Sequence, residues 1–179
     1  MMNRHSIIFT GPHGAGKTTA IRAISDTPPL KTDVFAGQCI HSSHSLSPAA
    51  MVYGFITLPD GEKLHLYGVP LQEGFDHKLA KLIPGGLGLV LLLDNSRADP
   101  FKDLNFFLDS FEKFLASANV AVGITHMDLN GIPAIADYHR QLQGTGLRLP
   151  IFAVDARVKN DVSLLVQALL FSLDPGLSE

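Results

Sequence analysis

Gly11-Pro12-His13-Gly14-Ala15-Gly16-Lys17-Thr18-Thr19 is the stretch that decides the fold. It fits the pattern G-x-x-x-x-G-K-[ST], with Thr18 in the last place. Ahead of it, Ser6-Ile7-Ile8-Phe9 is an apolar run suited to a buried strand. Behind it, Ala20-Ile21-Arg22-Ala23-Ile24 is suited to a helix. Strand, glycine loop and helix is the order in which consecutive backbone N–H groups curl around an anion, and the positive end of the helix adds to the attraction. Gly14 and Gly16 let the main chain approach phosphate oxygens with no Cβ in the way. Lys17 would place a point charge on the β- and γ-phosphates, and the Thr18 hydroxyl would bind Mg²⁺. Gly11, His13, Gly14, Ala15, Gly16, Lys17, Thr18 and Thr19 are therefore the candidate phosphate-binding residues. Lys17 is also a candidate catalytic charge, and Thr18 the candidate metal ligand. A turn that merely opens a helix would not require a lysine and a threonine at the two places phosphate chemistry uses.

Working outward, 179 residues fit one domain, 1–179, with room for a large core. Hydrophobic residues make up 46% and charged residues 17%, the balance of a globular protein. A net charge of -3 argues against a general nucleic-acid binder, since no face can be basic throughout. The single cysteine, Cys39, excludes an internal disulfide and suits a reducing cytoplasm. The N-terminus lacks a signal pattern, and the longest apolar stretch, Leu87 to Leu93, is far too short to cross a bilayer. No C-terminal prenylation box or Gly at position 2 is present. The expected location is cytoplasmic, with any membrane contact made through a partner.

Strand and helix patterns alternate along the chain. The stretch from Asp26 to Pro48 is irregular, and loops of that length are usually functional or disordered. Met51 to Leu58 and Lys63 to Val69 read as a hairpin around Pro59-Asp60-Gly61-Glu62. A short helix is expected over Asp76 to Leu82. Gly88 to Leu93, ending at Asp94, fits a central strand covered on both faces. Asp99 and Pro100 start a helix whose buried stripe is Leu104, Phe107, Leu108, Phe111 and Leu115, widened by Phe101, Phe106 and Phe114. Asn119 to Ile124 is the next strand, Ile132 to Gln143 a helix interrupted early by Pro133, and Leu149 to Val154 the last strand. Asn160 or Asp161 is expected to cap a final helix with Val162, Leu165, Val166, Leu169 and Leu170 on one stripe. Repeated βα units with one hairpin predict an α/β fold. Its sheet should be mostly parallel and six-stranded, with an antiparallel edge hairpin and helices on both faces. Ligands on such sheets lie beyond the carboxyl ends of the strands.

Four further segments follow strand ends. Thr125-His126-Met127-Asp128, behind a P-loop, reads as a guanine clamp. The Asp128 carboxylate can accept from N1–H and the N2 amino group of guanine, a donor pair adenine lacks. Thr125 would tie this loop to the P-loop, and His126 would lie against the purine face. Asp155-Ala156-Arg157 is where backbone N–H groups, at Ala156 and Arg157, could meet the guanine carbonyl. In Gly68-Val69-Pro70-Leu71-Gln72-Glu73, Gln72 could orient an attacking water. In Cys39-Ile40-His41-Ser42-Ser43-His44-Ser45, His41 and His44 have no matching metal partners. A switch segment there would offer the hydroxyl of Ser45 or Ser47 to Mg²⁺.

Taken together, the chain resembles the Ras-like small GTPases. Within them it resembles the prokaryotic group that includes the gliding-motility GTPase MglA and the compact ATP/GTP-binding proteins found beside roadblock-domain partners. Leu66-Tyr67-Gly68-Val69-Pro70-Leu71-Gln72-Glu73-Gly74-Phe75 stands where that group carries a segment like LFGTPGQERF, and Val154-Asp155-Ala156-Arg157 where it carries one like CDAR. The resemblance implies a P-loop NTPase fold of the small GTPase kind, GTP/GDP and Mg²⁺ as ligands, and a signalling or motility switch with roadblock-type regulators. Gly68 agrees with the group, which has Gly where Ras has its Mg²⁺-linked Asp. Leu71 replaces the glycine that would greet the γ-phosphate, and Gly74 stands where relatives have Arg. The expectation is slow GTP hydrolysis. The alternatives are a nucleotide-binding module that scarcely hydrolyses, or an ATP-using P-loop protein.

Overall fold

The computed structural model describes residues 5–32, 51–70, 86–115 and 119–173. Leu71, Gln72, Glu73, Gly74, the expected helix over 76–82, Cys39, His41, His44, Ser45 and Ser47 lie outside that set, as does the side chain of Phe114.

Among the described residues, seven strands form one sheet: β1 (Ser6–Thr10), β2 (Leu30–Thr32), β3 (Met51–Thr57), β4 (Lys63–Gly68), β5 (Gly86–Asp94), β6 (Val120–Thr125) and β7 (Ile151–Ala153). Their order is β2-β3-β4-β1-β5-β6-β7. From β4 to β7 all pairings are parallel, while β3 runs antiparallel to β4. The sheet thus has one strand more than the six expected. The added strand is β2, three residues from the stretch expected to be irregular, paired antiparallel to β3 with Leu30 opposite Tyr53. Its brevity hides it from any reading based on alternation, which needs at least four residues.

The helices are α1 (Lys17–Ile24), α2 (Pro100–Ser110), α3 (Glu112–Leu115), α4 (Ile135–Gln143) and α5 (Lys159–Leu173). The β5 run shows why the core has two halves. Val90 and Leu92 face one side with Phe9, Ile21, Leu165 and Leu169; Leu89, Leu91 and Leu93 face the other with Leu104, Phe107, Phe111, Tyr138 and Leu142. A strand with apolar side chains on both faces has no solvent side, so it sits in the middle of the sheet. Asp99 accepts from the Lys102 N–H at 3.1 Å and Pro100 occupies the first turn of α2. The expected stripe is split between two helices: Leu104 and Phe107 are buried and Leu108 partly buried on α2, Phe111 is its buried C-cap, and Leu115 packs partly buried from α3.

Two helix starts differ from expectation. α4 begins at Ile135, past Pro133, and the Asp137 carboxylate reaches back to the Ala134 N–H at 2.9 Å. α5 begins at Lys159, so Asn160 and Asp161 lie inside its first turn and neither is the cap. Asp161 instead accepts from the Asp155 N–H at 2.9 Å, tying the helix to the loop after β7. An acid in the first turn serves a backward-facing donor as well as a cap serves a forward one.

Candidate functional site

β1 ends at Thr10 and the glycine loop follows it directly into α1. Gly11, Gly14 and Gly16 have φ of 145°, 86° and 91°. At Gly11 a Cβ would lie 2.1 Å from the Leu92 carbonyl oxygen, so the loop leaves the sheet against the backbone of β5. Gly16 is the N-cap of α1 and offers no side-chain acceptor. The N–H groups of the first helical turn, at Lys17, Thr18 and Thr19, are those a helix leaves without intrahelical partners. They stay open to an anion.

Lys17 folds back over the loop. Its Nζ donates to Gly11 O at 2.8 Å and to Pro12 O at 2.7 Å. An ammonium has three N–H donors, so one is left for a further oxygen. Burial lowers the Lys17 ammonium from its ordinary value to about 8.

β6 delivers the second loop to the same end of the sheet. Thr125 is buried, and its Oγ1 lies 3.2 Å from Ala15 O and 3.1 Å from Leu93 O. One hydroxyl proton serves one of these at a time, so the P-loop and the end of β5 share it. His126 takes a left-handed backbone, φ 58°. Its Nδ1 meets Asp94 Oδ1 at 2.8 Å. The ring therefore turns toward the sheet end beneath the P-loop. Asp128 stands exposed at the loop's tip, 3.5 Å from an Arg157 nitrogen.

The third loop follows β7. Ala156 is buried, and a Cβ on Gly16 would come within 2.9 Å of the Ala156 Cβ. The Arg157 guanidinium bonds both Asp155 oxygens, at 2.8 Å and 2.7 Å. That contact pulls the Asp155 carboxyl down to about 2 and raises the guanidinium. Arg157 is thus held flat beside Asp128.

Asp94, Asn95 and Ser96, which close β5, were not singled out from sequence. Asp94 Oδ1 takes the Ser96 N–H at 2.9 Å and the Ser96 hydroxyl at 2.6 Å besides His126. Burial alone would raise the Asp94 carboxyl, but the Ser96 and His126 hydrogen bonds outweigh it and hold it below the usual range. The rule that ligands sit beyond strand ends points to these residues as directly as to Thr125.

At the end of β4, a side chain on Gly68 would meet Ile21 Cδ1 at 2.9 Å and Val52 Cβ at 3.2 Å. α1 thus packs closely over this strand end, with the Ile21 side chain against Gly68. Among the described residues no group of three or more His, Cys, Asp or Glu could hold a metal ion. A P-loop needs none, because a hydroxyl, phosphate oxygens and water complete the shell of Mg²⁺. Among the described residues no helix is long and apolar enough to cross a membrane.

No family model and no curated protein matches the sequence. Solved structures do match. The cytosolic domain of the T. maritima FeoB iron transporter, in its GMPPNP form, superposes with a TM-score of 0.60 at 16% identity. The match covers 94% of this chain and 64% of that one. The fold is an α/β P-loop NTPase fold, a mostly parallel sheet with helices around it. Within this P-loop fold the chain corresponds to about two thirds of the FeoB domain, and at such low identity the likeness speaks for architecture alone. The three loops that carry Lys17, Asp128 and Ala156 meet at one end of the sheet because β1, β6 and β7 all run parallel to β5.

Proposed function

We propose that the chain is a guanine-nucleotide-binding switch of the small GTPase kind, cytoplasmic, which hydrolyses GTP slowly to GDP and phosphate. The observation that carries the reading is the Thr125 Oγ1 to Ala15 O hydrogen bond at 3.2 Å. It fastens a phosphate-binding loop to a loop whose carboxylate, Asp128, has the acceptor pattern guanine requires. The GMPPNP form of the FeoB domain supports the same ligand.

In this reading the amides of His13, Gly14, Ala15, Gly16, Lys17, Thr18 and Thr19 surround the phosphates. Lys17 neutralises charge on the leaving group. Thr18 holds Mg²⁺, which supplies further charge neutralisation on the phosphate oxygens when bound. Asp128 accepts from the base, the Ala156 N–H donates to its carbonyl, and Arg157 flanks the ring. Gln72 orients water, and a roadblock-type protein regulates the signalling or motility output.

A second reading, a module that binds nucleotide and scarcely turns it over, is favoured by Leu71, which stands in place of the glycine that would greet the γ-phosphate. Single-turnover GTP hydrolysis by the parent and Gln72→Leu proteins separates the two. A loss of turnover in the variant supports the enzyme, and equal rates support the module. An ATP-using P-loop protein is the third possibility, and the nucleotide retained through purification decides against it or for it. Mass analysis should find GDP or GTP; an adenine nucleotide would remove the base assignment.

A further inference from the structure

Asn95 is fully buried one residue beyond β5. Its Nδ2 donates to Asn130 O and to Pro133 O, the latter at 3.2 Å. Its Oδ1 accepts from the Tyr138 hydroxyl at 2.6 Å. Its backbone N–H donates to Thr125 O at 3.0 Å, and its backbone O accepts from Asn130 Nδ2 at 3.5 Å. One residue thus reaches the start of the Asp128 loop, its far limb, and the helix that follows. Every polar group of the amide is spent in doing so.

The near limb of the loop is held by Thr125 and by the 2.8 Å contact of His126 Nδ1 with Asp94 Oδ1, and Asp128 meets Arg157 at 3.5 Å; the far limb has less. Leu129 is 70% and Ile132 78% exposed, so no apolar burial fixes its outer limb. Its own bonds, from the Leu129 and Asn130 N–H groups to His126 O at 3.1 Å and 3.2 Å, form one local turn. The far limb of the turn is oriented relative to the sheet through Asn95. Tyr138 is buried, and burial first, then the Asp94 and Asp103 carboxylates, push its phenol up to about 12. The hydroxyl therefore stays protonated and keeps donating. A carboxylate that selects a base must be placed to within a fraction of an ångström, and small misplacements forfeit large factors.

We infer that Asn95, oriented by Tyr138, is a positioning residue that sets guanine selectivity by fixing the loop bearing Asp128. The inference rests on the guanine-binding reading and adds to it a residue that touches no nucleotide. It predicts a split between base and phosphate recognition. Losing the pin lets Asp128 wander, while the P-loop, tied to Thr125 and not to Asn95, keeps its grip.

The test is the ratio of ATP to GTP dissociation constants, measured with Mg²⁺ for the parent, Asn95→Ala and Tyr138→Phe proteins. Each variant's fold is checked by circular dichroism. Asn95→Ala should cut the ratio about tenfold or more, and Tyr138→Phe about threefold or more, with ATP affinity within about twofold of the parent's. A ratio kept within about twofold overturns the inference and leaves the guanine reading standing. Parallel loss of both affinities assigns Asn95 to general folding and also overturns it. A parent with no preference for GTP overturns the guanine reading and the inference together. Tyr138→Phe, which removes a single oxygen, carries the test alone if Asn95→Ala does not fold.

Discussion

Gly16 is constrained by its backbone conformation and by a neighbour. Its φ of 91° is a conformation L side chains rarely adopt, and a Cβ would sit 2.9 Å from the Ala156 Cβ. Gly16→Ala should therefore cost about 1–3 kcal/mol in denaturant unfolding and loosen the contact between the phosphate loop and the loop after β7. Lys17 carries a pH dependence whose sign follows from its burial. The folded ammonium releases its proton near 8, against 10.5 ordinarily. Below about 8 both folded and unfolded chains are charged at this position, and burial costs stability. As pH rises from about 8 toward 10.5 the unfolded chain holds more protons, so stability increases. Phosphate binding runs the other way, since it needs the ammonium. Triphosphate affinity should fall by about tenfold per pH unit above about 8, and Lys17→Arg, whose guanidinium stays charged, should not show the fall. Equal slopes for the two proteins in a pH series of titrations would remove Lys17 from phosphate binding. At Asp128 an exchange of acceptor for donor inverts the pattern presented to the base. Asp128→Asn should weaken GTP and gain XTP, read by competition; unchanged base preference would count against the assignment.

The elements were legible to the extent that burial wrote them. β5 is legible in the sequence because the apolar run Leu87 to Leu93 has no polar face to expose. α2 was read from Asp99, Pro100 and a stripe at helical spacing, and the Asp99 to Lys102 N–H bond at 3.1 Å is the physical content of that signal. Asp99→Ala should cost about 1 kcal/mol in thermal or denaturant unfolding, with no effect on nucleotide affinity. What escaped the sequence was held by polar contacts between distant segments. β2 exists by pairing with β3. The start of α5 is set by Asp161 meeting the Asp155 N–H, and Asn95 is defined by a loop 35 residues further on. No local pattern carries such pairings. The P-loop, by contrast, was complete within nine residues, and Thr125 and Asp128 could be placed because their spacing is fixed by one loop.

Across the whole molecule, the strand order does the assembling. β1 lies between β4 and β5, with β6 and β7 beyond, and the loops after β1, β6 and β7 converge at one end of the sheet. The Thr125 to Ala15 bond and the Gly16 to Ala156 contact join them directly. Such a site should hold a nucleotide by its phosphates and choose it by its base. Calorimetric titration of GTP and of ATP, each with Mg²⁺, into well-folded protein tests that claim most directly. The account predicts heat and a defined stoichiometry with GTP, weaker binding of ATP, and loss of most of the GTP affinity in Lys17→Ala. Absence of heat with both nucleotides would contradict it.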